Sequence, residues 1–425
     1  MSDLLERSGW EKFKEKGLKW LLAPAALMVL YVFFAIFGRN FLSYPTLVNI
    51  IDAAYYIGFI SVGVTFVIIS GGIDLSVGTV MMAGAIIGGT AYKTWGWGLG
   101  PSLVLIILVT IAFGFFNGIM VARVKMPPFI VTLGTMMISM GVGSIVSNVR
   151  SMTFPTRAVE DGWYKNFFKL ISEDGGTIPT GAFLLIAVVV ISHIILNNTK
   201  MGRYIYAIGS NKEAARLSGV NVERWEMMAY VVAGAYAGIG GISYAAIYTT
   251  VLPAAGQGFE LYAIAGAVIG GTSLSGGVGT VFGTLIGVFI MSVLSVGLPS
   301  MDLQAHYQTF FTGVVVIGAV LLDMYRNRKA SEVRILTPAD QYRTETQERI
   351  RVLRREAAQK KNAGDHDGAR NAREEAQKLA AELKATYSRM KADEKAEAAR
   401  IRAEERASER EFHEMLKARD EAKDK

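Results

Sequence analysis

The strongest constraint on this chain is the run of long apolar stretches through its first 325 residues. A helix needs roughly 20 apolar residues to cross the hydrocarbon of a bilayer. Ten stretches approach that length, at about 20–38, 51–69, 77–92, 101–122, 128–148, 180–197, 225–248, 259–272, 277–297 and 307–325. In lipid, every backbone polar group must be satisfied within its own segment. The chain is therefore expected to be an all-α polytopic membrane protein with about ten transmembrane helices, and eight at the fewest. Stretches 77–92 and 259–272 are short and border Gly-rich breaks, so each is a candidate half-helix or re-entrant piece.

Charge divides the chain further. The last hundred residues hold 26 Lys and Arg and 21 Asp and Glu, more charges than the 325 residues before them. Three parts follow: an N-terminal cytoplasmic or interfacial segment at 1–18, a membrane domain at 19–325 and a charged helical extension at 326–425. Segment 1–18 sets Leu4, Leu5, Trp10 and Phe13 among charges, as in a helix lying on a membrane surface. Ten spans put both termini on one side. The loops on that side hold twelve Lys and Arg before the extension is counted, against six on the other, so both termini are expected in the cytoplasm. No cleavage-site pattern marks the first stretch as a removable signal. The net charge of +7 is explained by this asymmetry, and the mixed signs of the extension argue against nucleic acid.

Metal and redox chemistry find no support. There is no Cys, and the four His are far apart. No nucleophile–base grouping stands out, so an enzyme is not expected. Gly recurs every fourth residue in several stretches, as at Gly84/Gly88, Gly114/Gly118, Gly234/Gly238 and Gly279/Gly283/Gly287. Small faces of this kind bring helices close, either within the bundle or at a dimer face.

Two breaks resemble each other. Gly71-Gly72-Ile73-Asp74-Leu75-Ser76 and Gly270-Gly271-Thr272-Ser273-Leu274-Ser275 share a GG-x-[DS]-L-S pattern. Interrupted helices in corresponding places point to a transport site; the plainer alternative is a Gly turn between spans. Asp74 is an acid in an apolar stretch, read either as a helix cap or as a pathway residue. Ser76, Glu260, Thr272, Ser273 and Ser275 join it as candidate pathway residues. Asp52, Glu260 and Asp302, near segment ends, are expected to be more easily solvated. Leu274-Ser275-Gly276-Gly277 has the letters of a nucleotide-handling signature, yet no GxxxxGK[ST] occurs in the chain.

The loop at 198–224 is the longest internal one on the basic side. Asn211 suits the cap of a short helix there, and Gly219 its end. Glu213-Ala214-Ala215-x-x-x-Gly219 resembles the loop by which ATP-binding-cassette import permeases meet their ATPase. Gly202-Arg203-Tyr204-Ile205-Tyr206-Ala207-Ile208-Gly209 and the two breaks are similar to permeases of the ribose/galactose/galactofuranose type, and the likeness runs from about residue 20 to 325. The resemblance implies a monosaccharide import permease of the bacterial inner membrane. It would pair as a homodimer or with a sister permease, be surrounded by membrane lipid, and receive its sugar from an external sugar-binding protein. It would carry no cofactor of its own. ATP would be used by a partner ATPase subunit coupled through Glu213, Ala214, Ala215 and Gly219. One departure is Tyr262, where the family usually has Asp in Glu-Leu-Asp-Ala-Ile-Ala.

The long outer loop at 149–179 has mixed charges that could dock the binding protein or simply be solvated. The extension, with Ala372, Ala376, Leu379, Leu383, Tyr387 and Met390 on one stripe, reads as a solvated helix or helical hairpin, or as a docking arm. Two other functions stay open: a proton-coupled sugar carrier using Asp74, and a membrane scaffold acting through its tail.

Overall fold

The computed structural model describes residues 9–172, 176–331, 338–362 and 365–421. Leu4 and Leu5 of the expected interfacial segment lie outside the described residues. So do the side chains of Trp10 and Phe13, and Glu173 and Asp174 of the outer loop.

Twelve helices make the membrane unit, Trp10–Ser331. They are α1 (Gly9–Phe37), α2 (Tyr44–Ile69), α3 (Val77–Lys93), α4 (Leu99–Ala122), α5 (Pro128–Val146), α6 (Gly181–Asn198), α7 (Lys200–Ser210), α8 (Lys212–Leu217), α9 (Val222–Tyr248), α10 (Phe259–Ile269), α11 (Val281–Ser300) and α12 (Ala305–Ser331). Each apolar stretch falls on a helix. Only six helices among the described residues are long and apolar enough to cross a membrane: α2, α4, α5, α6, α9 and α11. α3 has 17 residues and α10 only 11, because Gly-rich breaks cut both short.

Local chemistry sets the boundaries. Ser43 caps α2, Pro128 opens α5 at a position whose N–H needs no partner, and Thr280 caps α11 by accepting from Gly283 N at 3.1 Å. α2 is the central helix, almost wholly buried, whereas α4, α5 and α6 turn exposed apolar faces outward. The Gly pairs serve packing inside this unit. A Cβ at Gly238 would meet Ile107 of α4 at 2.8 Å, and one at Gly118 would meet Met227 of α9 at the same distance. α10 and α11 close on each other through Gly266 and Gly287.

At one end of the bundle the 149–180 loop is a folded cap rather than a solvated strap. β1 (Met152–Thr153) pairs antiparallel with β4 (Thr250–Val251), and β2 (Leu170–Ile171) with β3 (Thr177–Ile178). Several of its charges brace the fold. Lys169 pairs with Asp52, Arg157 donates to the Lys165 and Lys169 carbonyls, and Asp161 accepts from Tyr92 at 2.8 Å. Asp52 is thus buried inside α2, contrary to its expected solvation, because a lysine from the cap descends to meet it. Asp302 does stay exposed, paired with Arg39.

Lys165 is buried in this cap, with Nζ donating to Thr249 Oγ1 at 2.6 Å. Burial, with the Arg157 charge nearby, pulls its ammonium down from the ordinary 10.5 to about 8. Between those values the unfolded chain holds a proton that the folded chain has released, so stability rises with pH across that window. The melting temperature of the detergent-purified protein, measured from about pH 8 to 10, should rise relative to Lys165→Met. Parallel profiles for the two proteins would show that Lys165 is not the titrating group.

The chain from Glu332 onward forms a separate unit. α13 (Pro338–Asn362) and α14 (His366–Glu421) make an antiparallel hairpin, the helical-hairpin form of the tail. Small residues, among them Ala357, Ala372 and Ala376, bring the helices close. Asp340 receives Tyr387 Oη and Lys391 Nζ, each at 3.1 Å.

Candidate functional site

The first break begins where α2 stops. Gly71 takes φ +86°, a left-handed conformation costly for any residue with a Cβ. Its N–H and that of Gly72 fold back onto the carbonyls of Ile68 and Val67, both at 2.9 Å. Asp74 then reaches forward: Oδ1 accepts from Ser76 N at 2.9 Å and from Ser76 Oγ at 2.6 Å. It holds the turn that leads into α3, whose N-cap residue is Ser76.

Ser76 leads into a buried polar chain that sequence reading missed. Asn117 of α4 donates to Ser76 Oγ at 2.9 Å, and Thr135 of α5 donates to Asn117 Oδ1 at 2.6 Å. A parallel link joins Ser139 of α5 to Thr79 of α3 at 2.9 Å. These bonds tie three helices together at span depth. The only available signal was an Asn and a Thr inside otherwise apolar runs.

The second break repeats the first with a shift. Gly271, not Gly270, takes the left-handed conformation at φ +96°, and its N–H and that of Thr272 fold back to Val268 and Ala267, both at 2.9 Å. By letters Gly71 matches Gly270; by geometry it matches Gly271. Asp323 of α12 anchors this loop, accepting from Leu274 N at 3.0 Å and Ser273 Oγ at 3.4 Å. Ser275 N bonds to Ser273 Oγ at 3.2 Å, so both serines organise the loop itself. Thr272 Oγ1 is buried with no hydrogen-bond partner.

The two breaks meet each other at the end of α7. Gly277 N donates to Ile69 O at 2.9 Å. A Cβ on Gly209 would strike Ile69 O and come within 2.5 Å of Gly277 N. A Cβ on Gly276 would come within 2.7 Å of Gly209 O and 3.0 Å of Gly71 Cα. Tyr206, one turn earlier on α7, donates to Gly279 O at 2.7 Å. Three segments distant in sequence therefore pack backbone against backbone, which only glycine permits.

α8 continues directly from this joint. Asn211 caps it, accepting from Ala214 N at 2.9 Å, and Gly219 ends it at φ +81°, as expected. Glu213 and Ala214 are exposed, and Glu213 pairs with Arg216 at 2.8 Å. Ala215 differs from expectation: it is buried against Ile208 and Val222, so it seats α8 on its own domain. Leu217, 88% exposed, is the large apolar residue presented outward. Lys212 locks α8 to α9 through Glu226 at 2.7 Å. A cavity of about 450 Å³ opens beside this element, lined by Gly71, Lys125, Glu213, Arg216 and Glu226 among others.

Glu260 opens α10 beside the start of α3, where a Cβ on Gly78 would come within 3.0 Å of Glu260 N. Its carboxylate folds back on Gly258 N, at 2.9 and 3.0 Å, to cap α10, and it is buried rather than solvated as expected. The candidate pathway residues therefore divide among the first break, the second break and the start of α10. Among the described residues there is no cluster fit to hold a metal.

A family model described as a branched-chain amino acid transport system permease component matches residues 46–320. The ribose import permease protein of Escherichia coli K12 is 35% identical over 311 residues, covering 72% of this chain and 94% of the relative. The fructose import permease protein of Rhizobium meliloti is 33% identical, covering 73% and 88%. The D-allose transport system permease protein of E. coli K12 is 32% identical, covering 74% and 92%. No solved structure matches. These relatives are permease subunits, not enzymes. By these matches the chain belongs to the permease family of ATP-binding-cassette import systems, alongside import permeases for ribose, fructose and allose.

Proposed function

We propose that this protein is the membrane-spanning subunit of an importer that carries a monosaccharide into a bacterial cell across the cytoplasmic (inner) membrane. Its apolar helices form ten membrane segments, α3 and α10 being the short ones, with both termini in the cytoplasm. The sugar arrives on an external binding protein that settles on the folded cap at 149–180. A separate ATPase subunit uses ATP and docks on α8, and a second permease, identical or a sister, completes the pathway. Thr272, with its free hydroxyl, is the pathway candidate from the breaks. Asp74, Ser76, Glu260, Ser273 and Ser275 shape the path by fixing backbone turns.

The observation that carries this reading is the continuity from α8 to the breaks. A push on a rigid surface helix displaces the bundle only if the helix is stiffly joined to it. Here α7 ends in backbone contact with both interruptions. In the proton-carrier alternative Asp74, whose Oδ1 is engaged by Ser76, would take its proton on Oδ2.

Glu213→Lys reverses a charge on the exposed face of α8, and Gly219→Asp puts a side chain where φ is +81°. Both variants should reach the membrane at normal abundance, show sugar uptake at background, and retain less copurifying ATPase. Normal uptake in both would remove α8 as the coupling element. Uptake by the wild-type chain alone in proton-loaded vesicles would support the carrier instead.

A further inference from the structure

Five aromatic rings from α2, α9 and α10 converge inside the membrane unit. Tyr56 lies 5.5 Å from Tyr244, 6.0 Å from Tyr248 and 5.2 Å from Phe259, and Tyr244 lies 4.6 Å from Tyr248. Tyr262, one turn after Phe259, accepts from Thr312 of α12 at 3.2 Å. Three features separate this group from ordinary core. First, Tyr164, Tyr206 and Tyr230 each donate to a backbone carbonyl, whereas Tyr56 and Tyr248 hydrogen-bond to each other. Second, the group is open on one side, since Tyr248 is 48% exposed. Third, it is bordered by the irregular segment between α9 and α10, where Thr249, Ala254, Gly256 and Gly258 all have positive φ. Irregular backbone inside a membrane body persists where it is packed in protein or lines a wet path.

We propose that Tyr56, Tyr244, Tyr248 and Phe259 form the surface over which a ring-form monosaccharide slides, with Tyr262 and Thr312 supporting it from behind. A sugar ring has an apolar face of C–H groups and an edge of hydroxyls. Aromatic faces receive the first, and phenol hydroxyls bound to one another rather than to backbone, as Tyr56 and Tyr248 are, exchange hydrogen bonds with the second. Such contacts are weak and individually replaceable, which suits a path that must release what it receives. This inference rests on the sugar-import reading.

The test uses the complete complex, with its copurifying ATPase and binding protein, in proteoliposomes. Radiolabelled ribose, fructose and allose taken up per ATP hydrolysed are compared for wild type, Tyr244→Leu, Tyr248→Leu and Tyr244→Phe. Both Leu variants should lower sugar per ATP by about tenfold while the ATPase still responds to loaded binding protein. Tyr244→Phe should change the order of preference among the three sugars. Wild-type sugar per ATP in both Leu variants overturns the inference. Loss of the ATPase response in parallel with uptake in Tyr248→Leu also overturns it, since the rings are then structural. If wild type imports none of the three sugars, the import reading falls and takes this inference with it.

Discussion

Gly209→Val should abolish uptake while the protein still inserts. Valine places its Cβ against Ile69 O and Gly277 N, two backbone atoms with no freedom to swing aside. α7 must then lift away from both breaks. An overpacking strain of about 3 kcal/mol, borne at the joint that α8 must work through, corresponds to on the order of a hundredfold in rate. The expected signature is uncoupling: ATP hydrolysis by the complex that no longer depends on loaded binding protein, with sugar per ATP near zero. Gly134→Ala is the matched control, because no atom lies within 4 Å of a Cβ there. Transport by Gly209→Val at wild-type rate would mean that the contact between α7 and the breaks transmits nothing.

Asn117→Leu should destabilise the membrane unit more than its modest change in size suggests. Leucine removes the acceptor of Thr135, stranding its hydroxyl in a buried site, and one of the two partners of Ser76 Oγ, which keeps Asp74. A stranded polar group costs about 1–3 kcal/mol. Melting temperature in detergent and abundance in the membrane should both fall. The decisive measurement is the double variant Asn117→Leu/Thr135→Val. Removing both members of a bonded pair restores an apolar contact, so the double variant should melt higher than the summed single effects imply. Strict additivity would show that this chain of bonds is not a cooperative unit.

The sequence announced what is local. Apolar length marked the helices, the GG pairs marked both interruptions, and Asn211 and Gly219 marked the ends of α8 because caps and left-handed turns have residue preferences of their own. What depends on partners far along the chain was not visible. Asn117 reads as a tolerated polar residue in a span until Ser76 and Thr135 are seen beside it. Asp52 and Glu260 read as interfacial acids, yet one is met by Lys169 from the cap and the other by the backbone of Gly258. Ala215 was assigned to the partner-facing surface, and only packing against Ile208 and Val222 shows that it faces inward. Gly209 entered only as the last residue of a motif similar to the permeases. The close approach of two remote turns is what makes it irreplaceable.

The shortness of α10 has a mechanical meaning. Its 11 residues span roughly 16 Å, with Phe259 and the aromatic rings at one end and the turn leading to Gly277 at the other. A rigid rod of that length, tilted by about 10° at its lower end, carries its upper end through roughly 3 Å, enough to part rings in contact. No relay of side chains is needed between the surface helix and the aromatic group. If the coupling proposed above runs through α7, the interruption that makes α10 too short to cross a membrane would also let it act as a lever from that joint.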